Sequence, residues 1–215
     1  MESLVGLPGT VQKVLLSCGI FASLLKVGAD LLAVKLWKGY NFFSQSISEL
    51  SAYGAPTRSL VLSLDLLYSV LMLAFSAGVW QLAGQNLLMR IAAGLIAGNA
   101  LISAGVSLFL PMRIDQGGIP TASAIHVVLM AIGVFCFLFA IGLGGAATHG
   151  WLRYLSFGIL TVYILLTVGR FLMPAPTTPA GLPAPTMGVQ ERTMVAGYLL
   201  WIIALAIQQL TRAGN

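Results

Sequence analysis

Several side chains capable of chemistry lie in stretches of sequence that are otherwise apolar. Asp65, Asp115, His126 and Glu191 are of the types that exchange protons. Carboxylates whose surroundings separate their pKa values, beside an imidazole near neutrality, can divide acid and base roles. Arg58, Arg113, Arg170 and Arg192 are of the type that grips an anionic headgroup with a fork of donors. Lys26 and Asp30 are one helical turn apart, a spacing that suits a local ion pair. Asn99, Ser103 and Ser107 make one helical stripe, and Tyr163, Thr167 and Arg170 a second. Each residue also has a plainer role, because polar side chains inside a helix bundle often serve only to join helices.

The surroundings of these residues set the class of protein. Of 215 residues, 58% are hydrophobic and only 8% charged, and the mean hydropathy is +0.94. Soluble domains carry about 25% charged residues, and one domain of this length cannot hide so much apolar surface from water. This excludes an ordinary soluble enzyme and a disordered chain. The net charge of +5 comes from dispersed residues rather than a basic face, which excludes a nucleic-acid reader. The partner implied is the lipid bilayer.

The expected fold is all-α: a polytopic membrane bundle of six transmembrane helices in a single domain, residues 1–215. The spans are expected at about 11–36, 59–83, 87–110, 122–146, 151–173 and 193–210. Lys26 and Asp30 in the first apolar segment, with no basic run before it, argue for a retained helix rather than a cleaved signal. Tight breaks at Gly84–Asn86 and Ala147–Gly150 make their flanking spans antiparallel neighbours. The other three connections are longer, and the last contains five prolines between Pro174 and Gly188. A Gly94/Gly98 pair suggests a central third span.

An even number of spans puts both termini on one side, opposite the three long connections. Asp30, Asp65, His126, Arg170, Glu191 and Lys26 then all fall in the half of the membrane nearest the long connections. Each unpaired charge at bilayer depth costs at least ~2.5–3.5 kcal/mol. A shared polar cavity open to the long-connection side satisfies them together, with Asn99 at its floor. The expected ligand-binding set is Glu49, Arg58, Asp65, Asn99, Arg113, His126, Arg170, Glu191 and Arg192. The expected catalytic candidates, should the site be an active one, are Asp65, Asp115, His126 and Glu191.

Two histidines exclude a three-His zinc site, and no metal site is assigned, although one His with carboxylates can hold Mg²⁺. Cys18 and Cys136 read as small packing residues. No cofactor is indicated. In the first connection, Phe42, Phe43, Ile47 and Leu50 recur at near-helical spacing, so a short amphipathic helix is expected at the interface, as lid or anchor. The serines there lack a nucleophile-elbow setting.

ISELSAYGAP at Ile47–Pro56, the Pro111, Asp115 and His126 arrangement, and GVQERTMVAGYLLW at Gly188–Trp201 resemble a prokaryotic six-span membrane family called domain of unknown function 998. Its marks match at Ser48, Glu49, Leu50, Asp115, His126, Glu191, Arg192 and Trp201. The resemblance implies a six-helix protein of a prokaryotic cytoplasmic membrane and supplies no agreed activity. The terminal side carries Lys13, Arg90, Arg153 and Arg212 with few competing acids, which favours cytoplasmic termini.

Three functions fit the sequence. The first is a pocket that binds or transports an amphiphilic or small anionic ligand. The second is an intramembrane enzyme acting on a lipid or isoprenoid-like substrate. The third is a non-catalytic membrane subunit or assembly factor. The sequence carries no signal for an oligomeric state.

Overall fold

The computed structural model describes residues 9–114, 120–172 and 186–213, the side chains of 120 and 170–172 excepted. Six helices account for most of it: α1 (Gly9–Leu36), α2 (Arg58–Leu82), α3 (Leu87–Phe109), α4 (Ala124–Ala147), α5 (Trp151–Leu172) and α6 (Met187–Arg212). All six are long and apolar enough to cross a membrane. The chain is an all-α, six-span membrane bundle, as its composition requires.

The ends of the helices follow local chemistry. Asn86 caps α3 by accepting from the Met89 N–H at 3.1 Å. Ser123 caps α4 by accepting from the His126 N–H at 3.1 Å. The tight breaks turn on Gly84 and Gly150, whose φ values of +53° and +71° disfavour any residue with a Cβ. On the same side Arg153 donates to the free Ala146 carbonyl at 3.0 Å, and Arg90 stacks 4.5 Å from the Trp80 ring.

Helices adjacent in sequence are adjacent in space, and α6 closes the ring against α1. Gly19 faces Phe75 and Gly78 faces Leu15, which brings α1 and α2 close together. The central helix is α6 rather than α3. It reaches α2 and α4 as well as its two neighbours, and it is the most buried of the six. The Gly94/Gly98 pair brings no helix close: a Cβ at Gly98 would meet nothing, and one at Gly94 only the Trp80 ring.

The interior is unevenly filled. Leu16, Phe75, Met89, Ile141, Leu152, Trp201 and Leu205 are fully buried. All lie toward the terminal side, where they form a close-packed floor. The other half of the bundle holds the buried ionisable residues Glu49, Asp65, His126 and Arg192 and a cavity.

The first connection carries a five-residue 3₁₀ turn, Ile47–Ser51. The short helix expected there thus exists. However, Ile47, Glu49, Leu50 and Ser51 are buried, so it is set into the mouth of the bundle against α1, α2 and α6 instead of lying flat on a lipid surface. The third connection pairs β1 (Arg113–Ile114) with β2 (Pro120–Thr121), antiparallel and two residues long. It docks on the first connection through Tyr53, whose N–H donates to Met112 and whose carbonyl accepts from Ile114.

Candidate functional site

The charged residues meet in pairs that sequence spacing does not reveal. Lys26 on α1 pairs with Asp65 on α2, Nζ to Oδ1 at 2.5 Å. The expected local pair of Lys26 with Asp30 does not form. Asp30 instead accepts a fork from Arg192 on α6, with Nε and Nη2 each at 2.9 Å. The i,i+4 partners diverge because α1 sits between α2 and α6, so each side chain turns to a different neighbour.

Arg192 organises the mouth. Besides Asp30 it donates to the Phe42 carbonyl at 2.9 Å, the Gln45 carbonyl at 3.1 Å and the Tyr40 hydroxyl at 2.9 Å. Its guanidinium also lies 4.2 Å from the Phe42 ring centre. Tyr40 in turn donates to the Ser46 carbonyl at 2.7 Å. Burial pushes the Tyr40 phenol up to about 12, partly opposed by Arg192, so it remains a donor. One turn earlier on α6, a Cβ at Gly188 would run into the Gln45 and Phe42 carbonyls, so the first connection can lie directly against the helix.

Two carboxylates hold the 3₁₀ turn. Glu49 accepts from the Ser46 N–H at 2.9 Å and the Gln45 amide at 2.8 Å, completing a capping box. Glu191 accepts from the Ile47 N–H through Oε2 at 2.8 Å. Arg58 and Arg113 lie apart from this cluster, both near Tyr53. Their guanidinium carbons are 3.9 and 5.7 Å from its ring centre, and Arg58 also donates to the Ser51 carbonyl.

Beneath the turn is a cavity of about 190 Å³ enclosed by α1, α2, α3, α4 and α6. Its wall is mainly apolar, with Ile102, Val106, Met130, Val134 and Phe137 prominent. Its polar groups are the Lys26–Asp65 pair, Glu191, His126, Asn99, Tyr68, Tyr198 and four serines. The His126 Nδ1 lies 2.6 Å from the Leu110 carbonyl. Since a carbonyl only accepts, Nδ1 carries the proton and Nε2 is left as the acceptor of the neutral ring. Asn99 donates to the Gly133 carbonyl at 2.9 Å, which ties α3 to α4.

A second hollow of about 180 Å³ opens between α1 and α6, lined by Val27, Leu31, Leu199, Phe42 and the Asp30–Arg192 pair. Lys26, Ile47 and Val195 line both spaces. The faces of Val27 and Leu31 are exposed toward the lipid region.

Of the expected set, Asp65, Asn99, His126 and Glu191 therefore share the cavity. Glu49 is buried in the capping box, Arg192 lines the α1–α6 hollow, and Arg58 and Arg113 lie near Tyr53. Asp115 and the Arg170 side chain lie outside the described residues. Ser103 and Ser107 join Asn99 on the cavity wall as their stripe implies, whereas Thr167 is exposed. Tyr163 is buried beside α6 and donates to the Met194 carbonyl.

The six-helix chain, with the Glu-Arg step on its last helix, matches one family over residues 20–208, from α1 into α6. The chain belongs to the family described as Protein of unknown function (DUF998). No curated protein and no solved structure matches it. In this DUF998 chain the sequence reasoning passed over Tyr198 and Tyr68. The signal was present, since Glu191, Met194, Val195 and Tyr198 follow i, i+3, i+4, i+7 and all line the cavity. The Tyr198 hydroxyl is fully buried and has no hydrogen-bond partner among the described residues, an arrangement that is costly in a protein interior. Among the described residues, no cavity serine is hydrogen-bonded to the imidazole or to a carboxylate, and no three of His, Cys, Asp and Glu converge on a metal position.

Proposed function

We propose that this chain holds a membrane amphiphile in the cavity beneath the 3₁₀ turn. The supporting observation is the cavity's two-part lining. Charged and polar groups from α1, α2, α3, α4 and α6 converge in a space whose remaining wall is apolar, above an otherwise close-packed floor. A protein that needed only to join helices has no use for such a hollow, because dispersion contacts are lost across it. The α1–α6 hollow supports access from the side, since it meets the lipid face and shares Lys26 with the cavity.

Of the arginines expected to hold a small anion, the described ones, Arg58, Arg113 and Arg192, are engaged elsewhere or lie off the cavity. The geometry therefore favours an amphiphile over a free anion. The setting proposed is a prokaryotic cytoplasmic membrane with both termini inside.

The test is native mass spectrometry of the full chain released from mild detergent, comparing it with Ser103→Phe, which fills the cavity from α3. Thr161→Phe on the exposed face of α5 is the control. The expected result is a co-purifying amphiphile that Ser103→Phe loses and Thr161→Phe keeps. Equal retention by both would overturn the assignment of the cavity.

A further inference from the structure

The unpaired groups of the cavity define the kind of head it can receive. Asp65 uses Oδ1 for Lys26, and among the described residues no donor reaches its Oδ2. Glu191 uses Oε2 for the Ile47 N–H, and no described donor reaches Oε1. His126 commits its Nδ1–H to Leu110, and the neutral imidazole then presents Nε2 as an acceptor. Asn99 has committed an N–H to Gly133, which turns its carbonyl oxygen toward further donors. Four acceptors from four helices thus lack donors.

The charge has the same sense. In their ionised forms Lys26 is positive and Asp65 and Glu191 are negative, and these are the ionisable acids and bases other than His126 and the tyrosines that line the cavity. The neighbouring charges cancel or are already bound: Asp30 with Arg192, and Glu49 inside its capping box. Ionised, the described lining carries an excess of one negative charge, in a place where an uncompensated charge is costly. Three aromatic rings, Tyr68, Phe137 and Tyr198, add electron-rich faces to the same wall, and the Lys26 ammonium already lies 5.7 Å from the Tyr68 ring centre. The buried Tyr198 hydroxyl, on a residue of the same wall, has no partner among the described residues.

We propose that the bound amphiphile carries a primary ammonium head. The head donates to Glu191, Asp65 and His126, and the apolar part lies along Met130, Val134 and Phe137. An ammonium supplies three donors, enough for three of the four acceptors, and one positive charge against the negative excess. A carboxylate or phosphate head would supply acceptors to acceptors and double the negative charge. This inference rests on the proposed function and names its ligand class.

The experiment uses the full chain in phosphatidylcholine nanodiscs, whose choline heads carry no N–H donor. Octylamine, octanol and octanoate, matched in chain length, are titrated while the thermal midpoint is followed. Octylamine is expected to raise the midpoint at concentrations at least tenfold lower than octanol, with octanoate weakest. Glu191→Gln retains the acceptor for Ile47 and removes the charge. It is expected to lower the apparent affinity for octylamine tenfold or more, leaving octanol unchanged. Octanoate binding best, or octanol equalling octylamine, would overturn the ammonium head and leave the cavity reading intact. Octylamine binding unaltered by Glu191→Gln would overturn it too. The absence of any shift with all three probes, together with failure of Ser103→Phe to change co-purification, would overturn both proposals. The ranking of probes on the unaltered chain stands whether or not Glu191→Gln folds.

Discussion

Arg192 makes more hydrogen bonds than any other side chain among the described residues. It is 8% exposed and joins α6 to α1 and to the first connection. Removing it leaves Asp30 uncompensated and backbone carbonyls without donors. Arg192→Ala should therefore lose about 3–5 kcal/mol, the usual range for breaking a buried pair from one side. Arg192→Lys should recover only part, since a point ammonium cannot fork onto Asp30. Unfolding by titration with a denaturing detergent reads both. Tyr40 gives a pH signature to the same cluster. Its pKa rises from 10.0 to about 12 on folding, so the folded state holds the proton more tightly. The stabilising contribution is complete below pH 10 and is lost as pH climbs through 12. Thermal midpoints should fall across that window, and Tyr40→Phe should flatten the fall. The residues themselves were legible in the sequence, because charges deep in apolar stretches require company. Their pairing was not. Lys26 and Asp30 share a helical face in the sequence but have different partners, and only the placement of α1 between α2 and α6 decides which.

At the scale of elements, the sequence located five helices to within two residues at each described end and missed the start of α6. That helix begins at Met187, six residues before the expected Thr193. Its first turns contain Gln190, Glu191 and Arg192, which no apolar pattern reveals. They are helical because those side chains face the mouth rather than lipid. The 3₁₀ turn was hidden for another reason. Its apolar residues are spaced as on an α-helix, but capping by Glu49 and the Glu191 contact confine it to Ile47–Ser51. Gly188 is the test of this junction. Gly188→Ala should push the first connection off α6, with a cost of about 1–3 kcal/mol for overpacking. Hydrogen exchange at the amides of residues 47–52 should accelerate, while that of the α4–α5 turn should not change. If the two regions respond alike, the junction is not held at Gly188.

For the whole molecule, the division into a packed half and a hollow half was legible as a one-sided distribution of charge with depth. The centrality of α6 was not, because a glycine pair on α3 marks where helices can approach and not where they do. The proposed orientation, with both termini inside, rests on the basic residues of the terminal side that have few competing acids, Lys13, Arg90, Arg153 and Arg212. Arg90 and Arg153 are bound at helix ends there, over Trp80 and on the Ala146 carbonyl. A C-terminal green fluorescent protein fusion should fluoresce in a bacterial host, and an alkaline phosphatase fusion at the same point should be silent. The reverse result would invert the bundle and place the cavity mouth in the cytoplasm.

The contact between Asp30 and Arg192 spans 162 positions of the chain. A ribosome delivers these residues far apart in time. Five hydrophobic segments must be threaded out while the acid on the first still lacks its counter-charge. The mouth can consequently be completed only when the sixth segment has brought Arg192 to Asp30 and to the first connection. Nascent chains stalled before that moment should expose Asp30 to a water-soluble carbodiimide, and completed ones should shield it.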